Sequence, residues 1–156
     1  MTPHQPALDP ATVEPRSTSA YPEPFRSRVL PREKRALGDA LGLTRFGVNL
    51  TTLAPGRESS MRHWHTHEDE FVYVIAGEVV LKTDAGEQVL TAGQCAGFPL
   101  GVADGHQFVN RSAQPAVYLE VGNRDEADAT YYSDVDLHFN HPALPGSYSR
   151  RDGSPV

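Results

Sequence analysis

From Thr44 onward the chain alternates. Phe46, Val48 and Leu50 share one side of an extended segment, which Pro55-Gly56 ends. Met61, His63 and His65 form a second alternating set. Glu70, Val72, Val74 and Ala76 form a third, with Phe71, Tyr73 and Ile75 on the opposite side. Val79-Val80-Leu81 runs up to Thr83-Asp84-Ala85-Gly86, a hairpin-type turn. Glu87 to Leu90, Cys95 to Phe98, Gln107 to Asn110 and Ala116 to Val121 complete the series. About eight short strands thus follow one another, with Gly, Pro or Asx at each joint. No long apolar stripe of helical period interrupts them. Such spacing predicts an all-β sandwich or barrel.

The flanks differ from this body. Seven of the 13 prolines fall at or before Pro31, and no glycine precedes Gly38. Residues 1–27 read as a proline-stiffened arm, disordered or extended, whose Tyr21 and Phe25 could dock on the body or on a partner subunit. Arg32, Glu33, Lys34 and Arg35 are expected to open a short helical turn that Gly38 and Gly42 break. Residues 28–122 hold the barrel. Residues 123–156 return to irregular polar composition and are expected to wrap it as a tail.

Length and charge narrow the function. The chain has 156 residues, enough for one ordinary domain. A formal net charge of -6 argues against a phosphate-binding surface and so against nucleic acid as a partner. No apolar run approaches the roughly 20 residues that cross a bilayer. The first 25 residues lack the apolar core of a signal peptide. The single cysteine, Cys95, allows no internal disulfide and suits a cytoplasmic protein. Lying among small residues, it is expected to be a buried apolar filler.

The chemistry concentrates in the histidines. His63 and His65 point to one side of an extended strand, so both face inward if either does. Two buried imidazoles are costly unless paired, protonated or bound to a metal. A short turn at Thr66 to Asp69 would bring Glu70 beside them, and His106 could complete the set from another strand. Three imidazoles and one carboxylate match the needs of a divalent transition metal with open coordination positions. Zinc, iron, manganese and nickel all suit that donor set. His67 is expected at the rim. His138 and His141 are expected to be exposed, and His4 uninvolved. Asn110 reads as a turn residue. Trp64 should face away from the cluster. Tyr73, Phe98, Phe108, Tyr118, Asn49 and Arg45 are candidate pocket residues.

These spacings resemble the two motifs of the cupin superfamily. Gly56 is followed by six residues, His63-Trp64-His65, four residues, Glu70, six residues and Gly77. Gly93 is followed by five residues, Pro99-Leu100-Gly101, four residues, His106, three residues and Asn110. The first motif (residues 56–77) carries one extra residue before His63, and the second (93–110) two before His106. Both insertions fall in turns. The resemblance implies a double-stranded β-helix, or jelly-roll barrel, with His63, His65, Glu70 and His106 as metal ligands. The stretch from His63 to Val74, with the later Tyr132-Ser133-Asp134-Val135-Asp136-Leu137, is similar to small single-domain bacterial cupins of unassigned activity.

Two functions follow as expectations. One is a metal-dependent enzyme, of dioxygenase, isomerase or lyase type, on a small oxo-acid or phenol-like substrate in the barrel interior. The other is a non-catalytic module that binds a sugar or carboxylate. No second ionisable residue is identifiable as an acid or base. Exposed sheet edges must be covered, so a homodimer is expected, with residues 19–31 as the cover on the same barrel or on a twofold mate.

Overall fold

The period-two segments become strands. A computed structural model of the chain describes residues 6–139 and 148–156. His4 and His141 lie outside them. The strands are β1 (Arg32–Ala36), β2 (Phe46–Leu53), β3 (His63–His65), β4 (Glu70–Ala76), β5 (Glu78–Thr83) and β6 (Gly86–Thr91). They continue with β7 (Cys95–Phe98), β8 (Gln107–Val109), β9 (Ala116–Asn123), β10 (Thr130–Tyr132), β11 (His138–Phe139) and β12 (Tyr148–Ser149). They form a five-stranded sheet ordered β1-β2-β9-β4-β7, a four-stranded sheet β12-β11-β10-β3 and a three-stranded sheet β6-β5-β8. The architecture is all-β, as expected.

Alternation sets the inside and outside of each strand. On β4, Val72 and Val74 point inward, while Phe71, Tyr73 and Ile75 stay exposed. Val72 and Val74 pack with Leu53, Val79, Leu81, Leu90, Phe108, Ala116 and Tyr118 in the main core. Each such side chain contributes about 1.5–3 kcal/mol on burial. A second core, of Tyr21, Val29, Met61, Tyr132 and Leu137, joins the two ends of the chain to β3. On β2 the buried residues are Thr51 and Leu53, so Val48 and Leu50 fall on the sheet's outer side.

Four expectations need correction. Arg32 to Ala36 is a strand, because its alternate residues Arg32 and Ala36 are buried and all five pair with β2. The helical turns fall instead at α1 (Phe25–Val29) and α2 (Leu37–Ala40). Cys95 is exposed, since it sits on the outer side of the edge strand β7, opposite Tyr73. The tail is more regular than its composition suggests: β10 pairs with β3 and β11, and β11 with β12. His138, expected to be exposed, is half-buried on β11.

The arm lies on its own barrel. Arg16 bridges Lys34 on the free edge of β1, through N–H···O bonds of 2.8 and 3.0 Å. The Tyr21 hydroxyl accepts a hydrogen bond from the Met61 amide. Among the described residues no helix is long and apolar enough to cross a membrane.

Gly77 turns β4 into β5 with a φ of 73°, and a Cβ there would lie 2.7 Å from the Pro115 carbonyl oxygen. Backbone and contact both exclude a side chain. Gly77→Ala should lower unfolding stability by about 1–3 kcal/mol in denaturant titration. Gly86→Ala, where the added carbon meets open space, should cost less.

Candidate metal centre

Strand β3 presents His63 and His65 to the interior. Its pairing with β10 sets Thr130 opposite His65 and Tyr132 opposite His63. On the other edge, His63 and His106 exchange backbone hydrogen bonds of 3.2 and 2.9 Å. Glu70 opens β4 after the expected short turn. The His63 ring centre lies 5.0 Å from that of His65 and 4.8 Å from that of His106. The Nε2 atoms of His106, His65 and His63 stand 2.7, 3.6 and 3.8 Å from Glu70 Oε2. All four residues singled out by spacing are therefore brought together around Glu70 Oε2; His63, Glu70 and His106 have donor atoms mutually within 4.8 Å, and His65 also groups with Glu68 and Asp128.

The proton positions follow from the neighbours. His63 Nδ1 lies 2.8 Å from the Met61 carbonyl oxygen. A carbonyl only accepts, so the proton sits on Nδ1 and Nε2 keeps its lone pair. His65 Nδ1 lies 2.6 Å from Asp128 Oδ2, which fixes the same tautomer by a charge-assisted bond. Asp128 is itself held by the His67 amide at 2.9 Å. Burial works against its ionisation, but the bonds from His65, His67 and Thr66 outweigh that and keep its carboxyl below the usual range. The Phe98 ring stacks on His106 at 3.7 Å.

Electrostatics keep the cluster ready for a cation. Burial, reinforced by the nearby His106 and His65 and opposed by Glu70, pushes the His63 imidazole down to about 4. It is neutral, and so able to donate its lone pair, at neutral pH. Burial pushes the Glu70 carboxyl up, but His106 and the other two imidazoles outweigh it, and Glu70 ionises well below the usual range. Glu70 Oε2 and His106 Nδ1 are both buried without a well-aligned hydrogen bond. A nitrogen-rich set with one ionised carboxylate and an orphaned carboxylate oxygen fits a divalent transition ion.

Two cavities flank the cluster, and both reach Glu70 and His106. One is a cleft of about 90 Å³ between Trp64, Glu68, Phe98, Pro99 and Val102. The other is a chamber of about 270 Å³ inside the barrel, lined by Tyr21, Arg32, Lys34, Ser59, Tyr118 and Glu120 among others. Phe98, Phe108 and Tyr118 line a cavity as expected. Tyr73 faces outward, Arg45 is exposed, and Asn49 lines neither space. Trp64 stacks on Tyr131 at 4.8 Å and walls the cleft. His67 is an exposed rim residue. Asn110 bonds the carbonyls of Leu53 and Gln114 and accepts from Ser112, which makes it a turn organiser.

Several residues that contact the cluster or line the chamber escaped the sequence reading. Asp128 lies 63 positions from His65, and no spacing rule connects them. Arg32 and Lys34 carried a signal, period two, that a run of charges disguised as a helix start. Glu120 carried another, an acid inside the apolar run from Ala116 to Val121.

Comparison with known proteins agrees with this geometry. The sequence matches the family described as Cupin domain over residues 49–122. No curated protein sequence matches it significantly. The crystal structure of a sugar phosphate isomerase from a cupin superfamily, from Silicibacter pomeroyi DSS-3, is 46% identical. It covers 97% of this chain and 96% of its own, with a TM-score of 0.91. A provisionally named sugar phosphate isomerase from Acidithiobacillus ferrooxidans ATCC 23270 is 31% identical over 78% of this chain and 76% of its own, at a TM-score of 0.68. A polyketide cyclase from Streptomyces resistomycificus, 18% identical over 85% of this chain and 87% of its own, shares the fold at a TM-score of 0.68.

Asp128→Ala removes the acceptor that holds the His65 tautomer. Its affinity for zinc, measured by competition with a chromogenic chelator, should fall about 10- to 100-fold. An unchanged affinity would show that Asp128 does not position His65.

Proposed function

The chain belongs to the cupin superfamily, and on that premise we propose that it is a metal-dependent isomerase of a small phosphorylated sugar bound in the barrel chamber. The observation that carries this reading is the convergence of the His63, His65 and His106 nitrogens on one Glu70 carboxylate oxygen, with His63, Glu70 and His106 at the wall of a polar chamber. His63, His65, Glu70 and His106 would hold one divalent ion, with zinc, iron, manganese and nickel all compatible. When bound, such an ion supplies Lewis-acid polarisation of a carbonyl or hydroxyl group. The name of the 46% identical protein supports isomerisation over the dioxygenase and lyase types.

The chain's own groups handle the proton. Glu120 is the carboxylate outside the cluster that lines the chamber. Its Oε2 accepts from Lys34 Nζ at 2.9 Å, and its Oε1 accepts from the Thr51 hydroxyl. These bonds orient it to take a proton from a substrate carbon and return it to the neighbouring carbon. The Tyr118 hydroxyl, whose ionisation burial suppresses, stays neutral and can donate to a substrate oxygen.

Protein reconstituted with each of the four metals should be assayed for interconversion of phosphorylated aldoses and ketoses. We expect one metal per chain and turnover with at least one metal. His106→Ala should lose metal and turnover together. Glu120→Gln should keep its metal and lose about 10²- to 10⁴-fold in rate. Tight sugar phosphate binding without product under any metal would establish the non-catalytic binding module instead.

A homodimer is proposed through the outer side of the five-stranded sheet. Phe71, Tyr73 and Ile75 are 42, 41 and 47% exposed. Val121 and Leu119 lie opposite Phe71 and Tyr73, and Val48 and Leu50 continue the row across β9. A contiguous apolar face of this kind marks an interaction surface. Replacing Phe71 and Ile75 together by Lys should turn a dimer into a monomer in sedimentation velocity. A wild-type protein that sediments as a monomer would sink the idea.

A further inference from the structure

Arg32 begins β1 and turns into the chamber with 9% of its surface exposed. Its Nη1 donates to the Ser59 carbonyl, while its Nε is buried without a partner. The ion pairs of the described residues pass it by: Arg28 takes Glu58, Lys34 takes Glu120, and Glu70 sits with His106. Its surroundings are phenols. Burial raises the hydroxyls of Tyr21, Tyr118 and Tyr148, and the Arg32 charge opposes that rise at all three. The Tyr118 hydroxyl is also buried without a partner.

A guanidinium cannot shed its proton at ordinary pH, so this charge cannot be relieved by neutralisation. A buried cation without a counter-ion is costly and calls for an anion. The chamber supplies the room, and Nε supplies a donor that has no partner within the protein. The Tyr118 hydroxyl supplies a second. The same chamber is also lined by His63, Glu70 and His106 of the cluster.

We propose that Arg32, with Tyr118, is an oxyanion subsite that grips the phosphate or carboxylate end of the chamber's ligand. The opposite end of that ligand then faces the histidine cluster. The proposal deepens the isomerase reading of the chamber and rests on it for what that opposite end carries. It assigns to β1, a strand outside both histidine motifs, the selection of charged over neutral ligands.

The test titrates purified protein, with and without added divalent metal, with inorganic phosphate and separately with acetate. Two signals are followed: the ¹H–¹⁵N resonances of arginine Nε groups and the thermal midpoint. Phosphate should move one Nε resonance, assigned to Arg32 by its absence in Arg32→Lys, and raise the midpoint. Affinity should fall about 10- to 100-fold in Arg32→Met and recover in part in Arg32→Lys. A response to acetate stronger than to phosphate supports the subsite and assigns it to a carboxylate. Wild-type protein that binds neither anion overturns the proposal, as does Arg32→Met that binds phosphate as tightly as wild type. Should Arg32→Met not fold, the wild-type Arg32 resonance decides: unmoved by both anions, it overturns the proposal. Metal analysis of the same samples separates the two readings. Protein that holds no metal yet binds phosphate through Arg32 overturns the isomerase reading alone. Protein that isomerises while Arg32→Met binds phosphate normally overturns the subsite alone.

Discussion

Strand β3 is three residues long, and its inward side carries imidazoles instead of aliphatic groups. A strand that short has little stability of its own and takes its order from its neighbours. On one edge β10 pairs with all three of its residues; on the other, His63 and His106 share two backbone bonds. Removing either partner would separate nitrogen atoms that now converge on one carboxylate oxygen. The second core, which packs Met61 against Tyr21, Tyr132 and Leu137, clamps the residues leading into β3 from both termini. The precision of the centre therefore rests on ordinary backbone pairing, placed where four polar side chains must meet.

Much of this was legible in the sequence, and the reason is local. His63 and His65 share a side because alternation on a strand permits nothing else. Glu70 follows after a turn too short to carry it elsewhere. His106 was legible through its spacing from Pro99 and Gly101. Residues whose position depends on pairing between distant segments left no such trace. Asp128 reaches His65 only because β10 pairs with β3. Cys95 was read as buried because small neighbours look like core, but β7 is an edge strand and Cys95 takes its outer side. Arg32 to Arg35 looked like a helix start because charge hid the alternation. The same misreading hid two cations that face the chamber.

The interior separates its charges with some economy. Lys34 and Glu120 neutralise each other at 2.9 Å. Glu70 is set among three imidazoles. Arg32 is left with phenols and one carbonyl. The chamber is thus lined both by an ionised carboxylate within a nitrogen-rich cluster and by a guanidinium.

Pairing between β3 and β10 also has a consequence in time. A chain being synthesised holds His63, His65, Glu70 and His106 well before Asp128 and β10 exist. Until they arrive, His65 lacks its carboxylate and β3 lacks one of its two neighbours. The centre is thus completed late, when the tail folds back onto the barrel. By mass action, anything that binds the completed centre favours the docked tail over the open one. Occupancy of the centre and closure of the tail are two faces of one equilibrium, and each reports on the other.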